Sequence, residues 1–81
     1  MGSVEKLAKA FRDGLALSKN FDVRTARYDQ TRQWDSVAHL LLVSEIEEAF
    51  GVKLTPGEVI ELGSYPAAVG ILKEHGVWVD G

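Results

Sequence analysis

The chain has 81 residues, a formal net charge of −3 and no cysteine. This length has room for one small domain, so we expect a single domain over residues 1–81 without a large catalytic cleft. The lack of cysteine excludes a disulfide framework, a thiolate zinc site and a cysteine nucleophile. Two histidines are too few for a dedicated metal site, and the negative charge argues against binding to a nucleic-acid backbone.

The apolar residues are too scattered for a membrane-spanning helix, which needs about 20 of them in a row. The longest apolar run, residues 40–43, has only four residues. The amino-terminal residues contain no apolar core of a secretory signal. We therefore expect no membrane partner, a cytoplasmic location and a monomeric protein.

The first 35 residues read as one helix followed by a long loop. Apolar residues recur at steps of three and four from Val4 to Leu15, which predicts a helix over about residues 4–17 with Ser3 as its cap. Residues 20–35 have no sustained periodicity and predict a long loop, a feature that is often functional. Four isolated side chains are expected to anchor this loop: Phe21, Val23, Tyr28 and Trp34.

The rest of the chain predicts three more helices. The second begins at Asp35 or Ser36 and ends at Gly51, with an apolar stripe formed by Leu42, Val43, Ile46, Ala49 and Phe50. Thr55, followed by proline and then a glutamate at the third helical position, predicts a short helix over residues 56–62. Ser64 is expected to cap a last helix that stops at Gly76.

Together these elements predict an all-α fold. We expect a four-helix bundle with three longer helices, one short helix and a long loop between the first two. Beyond the last helix, Trp78 is expected to pack back on the bundle. The sequence does not determine which part of the bundle Trp78 contacts.

Several residues between the loop and the third helix have a recognisable spacing. They are Asp35-Ser36-Val37, Leu42, Ile46-Glu47, Phe50-Gly51-Val52 and Leu54. In this arrangement the chain resembles the acyl carrier proteins, which hold 4′-phosphopantetheine on the serine of a similar Asp-Ser-Leu motif. The resemblance implies that Ser36 is the attachment site and that Asp35 is its motif neighbour. It also implies that a phosphopantetheinyl transferase supplies the group from coenzyme A.

The position of Ser36 agrees with that resemblance. A hydroxyl at a helix N-terminus lies where unpaired N–H groups and the helix dipole favour an anion such as a phosphodiester. A carrier of this kind is a substrate of the transferase and not itself an enzyme. One alternative is that Ser36 only caps the helix, a role that Asp35 could equally fill. Another is a catalytic set of Ser36, His39 and Asp35, which is disfavoured because His39 lies at the boundary of the core stripe.

The second helix has more apolar residues than its core side can hold. Helical spacing leaves Val37, Leu40, Leu41 and Ser44 pointing away from the stripe. We interpret them as a partner-binding surface with an apolar centre, edged by Glu47 and Glu48. The alternative is that the long loop covers Leu40 or Leu41.

The loop departs from the common carrier pattern just before the serine. Common carriers have a Leu-Gly pair there, where this chain has Arg32-Gln33-Trp34. Our hypothesis is that Trp34 replaces the packing of that turn with an aromatic anchor.

The function implied is to hold an acyl group as a thioester and present it to enzymes of the acyltransferase, ligase and ketosynthase types. The Asp before Ser36 favours acyl over aminoacyl cargo, and the apolar surface favours specialised polyketide or hybrid biosynthesis. Two alternatives stay open. One is an aminoacyl or peptidyl carrier of a peptide assembly line, and the other is an unmodified helical adaptor.

Overall fold

The computed structural model describes residues 2–79, and within that range the fold is helical. It contains four α-helices, one 3-10 helix at Val23–Thr25 and no strand in the described range. The α-helices are α1 (Ser3–Leu15), α2 (Ser36–Phe50), α3 (Pro56–Glu61) and α4 (Tyr65–Glu74). The all-α prediction is therefore confirmed for these residues. None of the helices between residues 2 and 79 has the length and apolar character needed to cross a bilayer.

The bounds predicted for α1 are wrong at both ends. The helix begins at Ser3, and Gly2 is its N-cap without a side-chain hydrogen bond. The Ser3 hydroxyl donates instead to the carbonyl of Trp78 at 2.9 Å. The helix ends at Leu15 because Ala16 adopts the left-handed conformation (φ 54°). Leu17 is buried although it lies beyond the helix.

The four expected side chains anchor the loop between α1 and α2 to different extents, and even the Tyr28 ring meets the His39 ring of α2. Val23 and Trp34 are buried, whereas Phe21 is half-buried and Tyr28 is 42% exposed. The backbone also holds the loop, since the Tyr28 N–H donates to the carbonyl of Gly63 at 3.0 Å. Trp34 is 1% exposed and so anchors the loop, while its replacement of the Leu-Gly packing of common carriers stays a hypothesis.

The caps explain why α2, α3 and α4 start where they do. Of the two candidates Asp35 and Ser36, Asp35 caps α2, and Gly51 ends the helix in the left-handed conformation (φ 65°), as predicted. Thr55 and Glu58 form a reciprocal capping box at the start of α3, which ends at Glu61. The Ser64 hydroxyl accepts the N–H of Ala67, so the predicted cap of α4 is confirmed.

Side chains from α1, α2, α4 and the connecting segments form one apolar core. The largest of those that are less than 2% exposed are Trp34, Phe11, Leu7, Leu15, Leu42, Ile46, Leu62 and Leu72. In the carboxy-terminal segment Val79 is buried and Val77 is half-buried, so the intervening Trp78 faces solvent and is 69% exposed. The prediction that Trp78 packs back on the bundle holds only at the surface, where it contacts α4 and not the core. Its ring lies beneath the Lys73 ammonium, 5.1 Å from the ring centre.

Candidate functional site

Ser36 is the first residue of α2, and its side chain is exposed. The neighbouring Asp35 does the capping, because its Oδ1 accepts the N–H of Ala38 at 2.9 Å. The Asp35 carbonyl accepts the N–H of His39, also at 2.9 Å. The hydrogen bonds within residues 2–79 leave the Ser36 hydroxyl without a partner. The hydroxyl is thus accessible and is not used to start the helix.

The surroundings of Ser36 suit a negatively charged substituent. The positive end of the α2 dipole lies at this residue, and such an end typically stabilises an anion by about 0.3–1 kcal/mol at an exposed site. Beside it is an open depression of about 300 Å³. Its lining comes from the end of the loop and the start of α2: Tyr28, Asp29, Gln30, Thr31, Arg32, Trp34, Asp35 and Ser36. A group attached to Ser36 therefore has room on its loop side.

Both ring nitrogens of His39 are engaged away from Ser36. The Trp34 indole N–H donates to Nδ1 at 2.9 Å, and Nε2 lies 2.7 Å from the carbonyl oxygen of Val59. Because an indole can only donate, Nδ1 is the acceptor and Nε2 bears the proton that it donates to Val59. The half-buried ring lies at the boundary of the core, as predicted. Ser36, His39 and Asp35 are not arranged as a nucleophile, base and acid.

An aromatic cluster surrounds this histidine. The Trp34 and His39 rings stack with centroids 6.0 Å apart and an interplanar angle of 24°. The Tyr28 ring meets the His39 ring edge-on at 5.3 Å. The cluster was not predicted, because its members come from the loop and from α2 and no local spacing connects them.

The apolar residues expected on the outside of α2 are exposed. Val37 is 69% exposed, Leu40 65% and Leu41 55%, so the alternative that the loop covers Leu40 or Leu41 is wrong. Ser44 is exposed on the same helix. We call Val37, Leu40, Leu41 and Ser44 the outer α2 surface.

A further exposed apolar residue, Ile60 of α3, was not predicted. It is 83% exposed, while its neighbour Val59 is half-buried against the core. Adjacent residues of a helix point about 100° apart, and in this six-residue helix Val59 faces the core while Ile60 faces solvent. The Val59-Ile60 pair in a short helix was the signal that could have identified this residue.

The two carboxylates expected at the edge of the surface have different roles. Glu47 is half-buried, and its Oε2 accepts the N–H of Leu54 at 2.8 Å. It therefore holds the segment that leads from α2 into α3. Glu48 is exposed and lies beside a groove that it shares with Lys6 and Lys9 of α1. Of the pair, Glu48 is the carboxylate available to a partner.

Comparisons with known proteins identify no relative. No family model matches the chain, and neither the curated proteins nor the solved structures include a match. The resemblance to the acyl carrier proteins thus stays a prediction from the residues. Within residues 2–79, no three His, Asp or Glu side chains are grouped so that they could hold a metal ion.

Proposed function

We propose that this chain is a carrier protein that holds an acyl group on 4′-phosphopantetheine attached to Ser36. The observation that supports this most is that capping and exposure belong to different residues at the start of α2. Asp35 caps the helix, and Ser36 offers an exposed hydroxyl without a hydrogen bond among the described residues. The fold therefore does not use the Ser36 hydroxyl as the cap, and the hydroxyl is available for modification.

The residues around Ser36 fit the prosthetic group. The hydroxyl is the attachment point, the helix dipole stabilises the phosphodiester charge, and the adjacent depression leaves space for the first atoms of the arm. When attached, the group supplies the thiol that forms the thioester with the cargo. Because His39 is occupied by Trp34 and Val59, the base for the transfer from coenzyme A belongs to the phosphopantetheinyl transferase.

The helical arrangement also suits a carrier. The helices have 13, 15, 6 and 10 residues, in line with three longer helices and one short one. We propose that together they form the four-helix bundle that the resemblance implies. The long loop connects α1 to α2 and ends immediately before Ser36. A monomer in the cytoplasm is part of the same proposal.

The outer α2 surface is the proposed contact for partner enzymes. It begins next to Ser36, and its three apolar side chains are each more than half exposed. Such a cluster favours contact with an apolar surface on the partner, and Glu48 can pair with a basic residue at the edge. The proposed partners are the transferase and enzymes of the acyltransferase, ligase and ketosynthase types, in polyketide or hybrid biosynthesis.

Intact mass measurement tests the attachment. The protein is incubated with coenzyme A and a broad-specificity phosphopantetheinyl transferase, and we expect the mass of one phosphopantetheine to be added. Ser36→Ala should abolish the addition. Ser18→Ala, which removes an exposed hydroxyl of the loop after α1, should leave it unchanged. A parent protein that gains no mass would refute the carrier proposal.

An unmodified helical adaptor is the second candidate, and the exposed outer α2 surface is the observation that favours it. An adaptor would keep its partners in the Ser36→Ala variant, whereas a carrier would lose its function. Leu41→Glu tests the surface in either case. Normal folding with parental rates of loading and use by the partner enzyme would show that the surface is not the contact. Trp78→Glu, at an exposed apolar residue of the carboxy-terminal segment, is the matched control.

A further inference from the structure

The end of the long loop is held in shape by its own hydrogen bonds. The N–H of Arg27 donates to the Thr31 hydroxyl at 2.8 Å, and the N–H of Thr31 donates back to the Arg27 carbonyl, also at 2.8 Å. The Trp34 N–H then donates to the Thr31 carbonyl at 2.9 Å and closes a tight turn. The Trp34 side chain is buried and anchors this turn to the core. The backbone of Arg32, inside the turn, is therefore held at a set place relative to the start of α2.

Arg32 and Ser36 line the same depression, the one of about 300 Å³ beside the proposed attachment site. The Arg32 side chain is exposed, and it is the single cationic group among the described residues of that lining. The ion pairs found within residues 2–79 are formed elsewhere and do not include Arg32. Its guanidinium is thus available to an anion that enters the depression.

The other charged groups of the lining are negative. Asp29 and Asp35 both contribute to it, and both are exposed. The Asp35 carboxylate is also held next to Ser36 by its capping bond to the N–H of Ala38. A phosphodiester on Ser36 would add a further negative charge beside these two carboxylates, and like charges repel. A cation in the same depression offsets that repulsion.

We propose that Arg32 is a positioning residue that pairs with the phosphodiester on Ser36 and holds the start of the arm on the loop side of α2. The proposal rests on the proposed attachment at Ser36. A guanidinium presents parallel N–H donors that match two oxygens of a phosphate group. With the phosphodiester held there, the outer α2 surface stays free for the partner enzyme. The Leu-Gly pair that common carriers have in this part of the loop offers no such charge.

Thermal unfolding with and without the prosthetic group measures this pairing. Parent and Arg32→Gln proteins are each compared in their unmodified and phosphopantetheinylated forms, and intact mass confirms complete modification. The change in Tm on modification should be less favourable in Arg32→Gln by about 1–5 °C at low salt. In about 1 M salt, which screens charges beyond about 3 Å, this difference should fall to less than about half. Equal changes in the two proteins at low salt would overturn the proposal.

Arg27→Gln is the matched control. It removes the same charge from the same loop, but Arg27 is exposed and does not line the depression. Its Tm change on modification should equal that of the parent. Arg32→Lys should retain part of the effect, because an ammonium keeps the charge but lacks the planar fork of the guanidinium. An effect of Arg27→Gln as large as that of Arg32→Gln would refute the specific role of Arg32, since the loop would then act only through its total charge.

NMR of the parent protein covers the case in which a variant does not fold. The side-chain Nε–H signal of Arg32 should shift when Ser36 is modified, and that of Arg27 should stay in place. An Arg32 signal that does not move would overturn the proposal. Absence of any mass addition at Ser36 would refute the carrier function and this proposal with it. Complete modification without the Arg32 effects would refute this proposal alone, so the two failures are distinguishable.

Discussion

The two faces of α2 have similar side chains in opposite surroundings. Leu42 is fully buried, while Leu41, the residue before it, is 55% exposed. Ile46 is buried on the inner face, and Val37 and Leu40 are exposed on the outer one. Apolar content alone thus does not tell which residues of a helix stabilise the fold. The helical phase decides this, and the apolar residues on the outer face are available for contact with another molecule.

The largest effect is expected from truncating each face in turn. Leu42→Ala should lower the free energy of unfolding by about 2–5 kcal/mol, because it leaves a cavity in the core. Leu41→Ala should change it by less than about 0.5 kcal/mol, because its side chain is already largely in water. Urea unfolding measures both. Similar losses from the two variants would show that the outer face also stabilises the fold.

The close approach of α1 to the inner face is tested by adding one methyl group. Gly14→Ala should destabilise the protein by about 1–3 kcal/mol, since the new Cβ would lie 2.7 Å from the Leu42 backbone. Gly70 of α4 is the matched control, because a Cβ added there would have no neighbouring atom within 4 Å. Gly70→Ala should stabilise the helix by about 0.5–1 kcal/mol. A neutral Gly14→Ala variant in thermal or urea unfolding would contradict the tight packing.

The start of α2 separates a capping residue, Asp35, from the proposed attachment site, Ser36. Asp35→Ala removes the cap and should cost about 1 kcal/mol of unfolding free energy. Ser36→Ala removes a hydroxyl without a hydrogen bond in the described range and should change stability by less than about 0.5 kcal/mol. Equal losses in urea unfolding would mean that Ser36 shares the capping, which would weaken its assignment as the attachment site.

The smallest effect is expected at Glu58 of α3, outside α2. It concerns the charge of a side chain and not its burial. The backbone N–H of Thr55 and then His75 hold the pKa of Glu58 below its ordinary value. A carboxyl group whose pKa is lowered by folding adds stability at neutral pH. This contribution is lost as the pH falls from the ordinary carboxyl range, about 4.3, through the lowered pKa. The free energy of unfolding should therefore fall less between neutral and acid pH in Glu58→Gln than in the parent protein. Equal falls in the two proteins would contradict this role of Glu58.

The elements that could be predicted are those whose ends are specified by local chemistry. The caps Asp35, Thr55 and Ser64 each bond an N–H three residues on, so the sequence itself contains the start of each helix. The start of α1 was mispredicted because the hydroxyl of Ser3 binds the distant Trp78 carbonyl. A local capping bond can be predicted from residue spacing, whereas the bond of Ser3 to a residue 75 positions away cannot.

Only the part of the candidate site that depends on local interactions could be predicted from the sequence. The exposure of Ser36 and of the outer α2 surface follows from helical phase and position. The bond of His39 to Val59 could not be foreseen, because it joins α2 to α3 across 20 residues of sequence. Glu47 is similar, since its bond to Leu54 forms only after the chain turns beyond α2.

The opposite environments of the two tryptophans provide a spectroscopic probe of the site. Trp78 is exposed, whereas Trp34 is buried, stacked on His39 and two residues before Ser36. Replacing Trp78 by phenylalanine would leave Trp34 as the single tryptophan of the chain. Its emission would then report unfolding of the core and any disturbance next to Ser36, without an added dye.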